Sequence, residues 1–247
     1  MRRLAAPLAI AAALAGPAAA QGTFPPQRLE NLKVLPKDIP VRALIDTMAG
    51  FTRALGVRCT YCHVGKEGEP LASYDFKADE KPEKEKARVM LRMVAGINGD
   101  HLTKLATRRE PAVGVACATC HRGVTVPRTL QQMLLSAYDA GGADSAESTY
   151  NALRERYYAR AAYDFGEVAL ADVGAALRAR GNLPDALRFY LLNTRMVPTS
   201  GFAFRMAADA QLAAGDTTAA RASLERALEI APNDPQAGRI LDTLRKP

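Results

Sequence analysis

Apolar residues recur at helical spacing along most of this chain. After Pro40, the residues Leu44, Ile45, Met48, Phe51 and Leu55 line one stripe of the segment Val41–Leu55, which predicts an amphipathic helix. A second helix is predicted after Pro82, where the charges Glu83-Lys84-Glu85-Lys86 lead into Val89, Met90, Leu91, Met93, Val94 and Ile97, with Asn98-Gly99 as its stop. The charge run reads as a solvated face. Further on, Leu130 to Asp139 and Ala146 to Arg160 predict an irregular helix pair joined through Ala140-Gly141-Gly142-Ala143.

From there the pattern repeats at an offset of 34 residues: Gly181 matches Gly215, Ala186 matches Ala220, Pro198 matches Pro232, small Gly174 matches Ala208, and large Tyr190 matches Leu224. That period is the tetratricopeptide one; small residues let paired helices cross closely, and proline ends each unit. A helix from Pro235 to Leu244 would cap the stack. Such a stack either covers its neighbour as a plain helical hairpin array, a reading to which Asn193 and Gln211 lend weight, or offers a concave surface to a protein or peptide partner. Packing is the expected role of Tyr150, Tyr157, Tyr158 and Tyr163. The expected fold class is all-α.

The longest apolar run, Leu4 to Ala20, stands behind Arg2 and Arg3 and ends in Ala18-Ala19-Ala20 before Gln21. This is the form of a secretory signal cleaved after Ala20, and the run is short and Ala-rich for a transmembrane anchor. The expected location is periplasmic, with membrane association only through a partner. The expected division is residues 1–20 as signal peptide, 21–128 as a first domain and 129–247 as the helical repeat domain.

With 247 residues, 48% hydrophobic and 24% charged, the composition excludes collagen-like, disordered and polytopic membrane classes. The net charge of +7 is uneven: residues 21–128 hold 18 basic and 12 acidic side chains, a balance of +6, whereas residues 129–247 hold 13 and 14, a balance of −1. The excess is modest and no basic run is interleaved with aromatics, so nucleic-acid binding is not expected.

All four cysteines lie in one pattern used twice, Cys59-Thr60-Tyr61-Cys62-His63 and Cys117-Ala118-Thr119-Cys120-His121, which takes two of the three histidines. At an offset of 58, Gly56, Val57, Cys59, Cys62, His63 and Gly65 match Gly114, Val115, Cys117, Cys120, His121 and Gly123. C-x-x-C-H is the attachment signature of c-type haem: two thiols one helical turn apart add to the vinyl groups, and the adjacent imidazole turns to the iron. Two zinc knuckles, or a redox disulfide, are the competing readings, but a zinc knuckle does not require His directly after the second Cys, and a thioredoxin-like redox motif needs a strand and helix context that neither copy has. Two covalently attached haem c groups are therefore expected, their four propionates offsetting most of the +6 charge.

A haem that only passes electrons needs a sixth ligand, Met or His. Met48 lies on the apolar face of the first predicted helix, a short turn before Cys59. Met90 and Met93 share a face of the second, three residues apart, and His101 follows at its end. Packing is the ordinary role of a Met on such a face.

These segments together resemble the cytochrome subunit of photosynthetic reaction centres over residues 29–128. The resemblance rests on Asn31-Leu32-Lys33-Val34-Leu35-Pro36-Lys37-Asp38-Ile39-Pro40, on Met48 followed by Leu55-Gly56-Val57-Arg58-Cys59, on Ala87-Arg88-x-Met90-x-Arg92-Met93-Val94 with Ile97-Asn98, and on Val115 through Gly123. It implies that each haem is held by a helix bearing a Met ligand, a turn, and a second helix bearing C-x-x-C-H. Met48 then pairs with His63 and Met93 with His121, while Met90 and His101 are less favoured. The family usually carries four haems and this chain has motifs for two, so photosynthesis is not assumed.

No Ser elbow, phosphate-cradling Gly loop or telling carboxylate pair is found. The expected function is that of a periplasmic dihaem electron carrier, not an enzyme, moving single electrons between a redox donor and an acceptor. The alternative is a haem enzyme or gas sensor with one open iron position.

Overall fold

The structure, a computed structural model, describes residues 23–107 and 111–245. The predicted export segment, residues 1–20, lies outside the described residues. The regular structure of the described residues is helical, with one isolated antiparallel bridge between Val64 and Asp75 among them. Packing groups the chain into two units: residues up to Arg53 with Val57–Cys117, and Ala54–Gly56 with Ala118 onward.

Helix α1, Val41–Leu55, has the bounds the apolar stripe predicts and belongs to the first unit as far as Arg53. Helix α2, Pro82–Gly96, starts with proline in its first turn and two early glutamates, both favourable at a helix N-terminus. It does not stop at Asn98-Gly99 as expected. A π-helical turn, Ile97–His101, and a 3-10 turn, Leu102–Lys104, extend it: Asn98 and Gly99 stay within the π turn, and the Asn98 side chain bonds the Val115 main chain. The short helix α3, Cys117–His121, follows.

The second unit holds the apolar core. Helix α4, Leu130–Tyr157, opens on a capping box between Thr129 and Gln132 and is broken at Gly141 and Gly142, the latter at φ 73°. The break falls where the glycines predicted it, but helix resumes at Ala143 rather than Ala146. It ends at Tyr157 rather than Arg160, where Tyr158 turns extended and the Arg154 guanidinium lies 4.0 Å from its ring. Tyr150 is fully buried, and Tyr150, Tyr158 and Tyr163 pack around Phe165.

Helices α5 (Glu167–Ala179), α6 (Leu183–Met196), α7 (Gly201–Ala213) and α8 (Thr217–Ile230) are two hairpins whose starts differ by the 34-residue period, and α9 (Pro235–Arg245) packs on α8. The repeat extends to detail. Gly181 and Gly215 both sit at φ 81°, and the next residue of each, Asn182 or Asp216, caps the following helix by accepting a backbone N–H three residues on. Asn193 and Gln211 are buried: Asn193 donates to the Glu167 carbonyl at 2.7 Å and Gln211 accepts from Ser223 at 2.8 Å.

The two repeats differ in how they fill one crossing. A Cβ on Gly174 would stand 2.7 Å from the buried Tyr190 ring, whereas the second repeat pairs Ala208 with the smaller Leu224. Gly174→Ala is therefore expected to destabilise the fold by about 1–2 kcal/mol, overpacking outweighing the gain in helix propensity. Combining it with Tyr190→Leu reproduces the Ala208–Leu224 pair. A double-mutant cycle by chemical denaturation is expected to show a favourable coupling of about 1 kcal/mol, and additive losses would refute this account of the crossing.

Candidate haem attachment sites

The first motif leaves α1 through Gly56, at φ 66°, and winds into a 3-10 turn, Cys59–Tyr61. The Cys62 and His63 amides both donate to the Cys59 carbonyl, at 3.2 and 2.9 Å, so the two thiols lie one turn apart with the imidazole next in line. The turn is tighter than the α-helix the resemblance implies for an attachment segment.

His63 is positioned by a loop that doubles back on it. Asp75 donates to the Val64 carbonyl at 2.9 Å, and Gly65 makes room for the Tyr74 ring, which a Cβ there would meet at 2.5 Å. This brings Phe76 edge-on to His63 at 5.1 Å, with Tyr74 and Phe24 each 5.7 Å from Phe76. Burial, reinforced by the Lys84 ammonium, lowers the His63 pKa to about 4, so the ring is neutral at pH 7, the form that ligates a metal. Its buried Nδ1 has no hydrogen-bond partner among the described residues. Burial, with Glu83, pushes the Cys62 thiol up, so it too is uncharged at neutral pH.

Behind this turn the charge run does more than face water. Lys84 is largely buried and donates to the Phe76 and Ala78 carbonyls at 2.9 and 2.7 Å, and Lys81 donates to the Thr60 carbonyl. Arg88, the buried residue among those described in this unit, bonds Asp79 at 2.8 Å and Glu85 at 3.0 Å. Asp79 also takes Asn31 at 2.9 Å and Lys33 at 2.6 Å, and these partners, Arg88 first, hold its carboxyl well below the usual carboxylate range. The first turn of α2 thus anchors the loop that holds Phe76 on His63.

The second motif forms the α-helical turn α3, ended by Arg122 and Gly123 in the left-handed region at φ 51° and 93°. His121 Nδ1 lies 2.9 Å from the Val124 carbonyl. With its proton on Nδ1 donated there, the ring is held in the tautomer that leaves Nε2 free as a ligand, the usual support of a metal-bound histidine. The matching glycines of the two motifs do different work. Gly65 yields space to a ring, while Gly123 supplies a left-handed turn from which its amide donates to the Ala54 carbonyl at 2.8 Å.

Met48 lies half-buried on α1, Met90 and Met93 are 39% and 47% exposed on α2, and His101 is exposed at the end of the π turn. All four thiols are free of disulfides, and among the described residues no three His, Cys, Asp or Glu converge as a zinc site would require. Among the described residues, the first unit contributes no buried apolar side chain to the core, and Val89, Met93 and Leu105 are exposed. Paired thiols on each turn, a neutral ligating ring and uncovered apolar side chains are what a flat, covalently tethered apolar ring requires, so the residues present fit haem. Sequence reading missed Phe76, Lys84, Asn98 and the Val124 carbonyl. Only Asn98, within the quoted Ile97-Asn98, left a signal.

No helix of the described residues is long and apolar enough to cross a membrane. Among solved structures, the second half of the chain is similar to PcrH from Pseudomonas aeruginosa (22% identity, 47% of this chain and 89% of that one, TM-score 0.33). It is also similar to the type III secretion translocator chaperone SycD from Yersinia enterocolitica (20% identity, 47% and 89%, TM-score 0.33). A curated relative, cytochrome c-554 of Chloroflexus aurantiacus, is 40% identical over 68 residues, which span 28% of this chain and 14% of that relative's length. The family model described as the photosynthetic reaction centre cytochrome C subunit matches residues 5–159, beyond both C-x-x-C-H turns and into α4. A match over more than half of the chain, on a framework that presents the thiols and imidazoles such a cytochrome needs, makes this chain a member of that family.

Proposed function

We propose that this protein is a periplasmic dihaem electron carrier with His63 and Met48 on one iron and His121 and Met93 on the other, Met90 and His101 being the less favoured distal ligands. Each bound haem supplies an iron that exchanges one electron reversibly. The observation that carries this reading is the condition of the two imidazoles: His63 is kept neutral by burial, and His121 is oriented by the Val124 carbonyl. Neutrality and a fixed ring orientation each favour an imidazole as a proximal ligand. The sulfur of Met would raise each potential relative to a second histidine. The electron donor and acceptor are periplasmic redox proteins, and the helical repeats dock a protein or peptide partner.

The test is maturation of the full chain with haem, followed by measurement of covalent haem per chain and of the reduced spectrum under carbon monoxide. Two haems per chain and no response to carbon monoxide are expected, and Cys117→Ser with Cys120→Ser should halve the haem. An unchanged count in that variant would remove the second site. A response from one haem in the unaltered chain would favour the open-iron enzyme or sensor instead.

A further inference from the structure

We propose that Asn98 is a positioning residue for the second haem site, setting where α2 stands relative to the thioether Cys117. This inference rests on reading Cys117-x-x-Cys120-His121 as a haem site. The Asn98 carboxamide pairs with both polar groups of one residue: Oδ1 accepts from the Val115 N–H at 2.7 Å and Nδ2 donates to the Val115 carbonyl at 2.8 Å. The partners are 17 residues apart, and Val115 lies in a segment without secondary structure, two residues before Cys117. A planar amide is the side chain that offers a donor and an acceptor side by side in the manner of a neighbouring strand. Aspartate lacks the donor, serine lacks the span, and leucine lacks both groups.

The place of Asn98 gives the pair of bonds its leverage. It sits in the π turn Ile97–His101, a rare local geometry that re-aims the residues following a helix. The helix before this turn carries Met90 and Met93, and the turn itself ends on His101. Whichever of the three supplies the distal atom, the element bearing it is tied to the entry of the attachment turn through Asn98. A haem tethered at Cys117 and ligated from α2 would feel any slack here as a lengthened or broken distal bond, while the first haem would not.

The experiment compares the haem-matured full chain with Asn98→Ala and Asn98→Asp, reading covalent haem per chain, carbon monoxide binding in the reduced state, and the potential of each haem. Two haems are expected in all three proteins. Carbon monoxide should bind about half of the haem in Asn98→Ala and a smaller share in Asn98→Asp, which keeps the bond from the Val115 N–H. One potential should shift while the other stays. If Asn98→Ala loses the second haem during maturation, Asn98→Asp decides alone, and Asn98→Gln should restore part of the effect. Two carbon-monoxide-inert haems with unchanged potentials in both variants would overturn the proposal, even if thermal stability fell. An unaltered chain lacking the second haem would instead sink the dihaem reading itself, and this proposal with it.

Discussion

Protein made without haem attachment, with Cys59, Cys62, Cys117 and Cys120 all replaced by serine, is expected to keep the helices of residues 130–245 and lose those of residues 41–104. The reason is where the apolar side chains go. In the second unit, Leu134, Tyr150, Leu177, Phe189 and Leu224 are fully buried, and clusters run through the whole stack. In the first unit, Arg88 is the buried residue among those described, and no apolar cluster forms. Isolated helices of 15 residues, the length of α1 and of α2, are marginal in water, and their formation in proteins depends on packing an apolar face. The ion pairs around Asp79 do not replace that packing, because the Lys33 pair is exposed and screened, and for the Arg88 and Lys84 pairs the cost of taking the cations out of water offsets much of the attraction. Hydrogen exchange followed by mass spectrometry gives the answer by segment. Amides of α1 and α2 should exchange nearly as fast as an unstructured peptide, and those of α6 and α7 should stay protected. Protection of α2 equal to that of α6 would show that the protein atoms of the first unit suffice to hold it.

The second large effect is expected from Gly56→Ala. Gly56 is at φ 66°, and a Cβ there would lie 2.2 Å from the Gly123 carbonyl oxygen, in the same packed unit, where the Gly123 amide already donates to Ala54. The clash is with backbone, so no rotamer change relieves it. The left-handed conformation costs alanine about 1–2 kcal/mol and overpacking adds about 1–3, for a loss of about 2–5 kcal/mol. Gly215→Ala isolates the first contribution, since that residue has φ 81° with open space around its would-be Cβ. Thermal unfolding should place the Gly56 variant on the order of 10 °C below the unaltered protein and the Gly215 variant much closer. Equal shifts for the two would mean that the Gly123 carbonyl moves aside freely.

What the residue pattern reveals here depends on how local the cause is. The bounds of α1, the break in α4 and the pairing of α5–α6 with α7–α8 follow from apolar spacing, glycines and a 34-residue period, all visible within a short window. The cysteines and histidines of both motifs are legible because their chemistry demands adjacent positions. What stayed hidden acts across distance or through the main chain. Lys84 looks like one more solvated charge until the carbonyls of Phe76 and Ala78 are seen to converge on it. Val124 contributes a carbonyl that any residue would carry, so no letter marks it. Asn98 reads as a helix stop by its usual preference, yet its amide finds Val115 instead and the chain winds on as a π turn. The duplicated motif misleads in one respect: identical spacing gives a 3-10 turn in one copy and an α-helical turn in the other.

The unequal crossings of the two helix hairpins bear on how the chain finds its register while folding. Tandem repeats of one shape can pair with the wrong neighbour, and two copies of a protein can exchange hairpins at little cost. Here Tyr190 fits against Gly174 because nothing projects from that residue, and Ala208 would obstruct the same ring. In the reverse misalignment, Leu224 laid against Gly174 would leave a void. Each hairpin therefore recognises its own partner helix, and a slipped or exchanged arrangement is penalised at both crossings together.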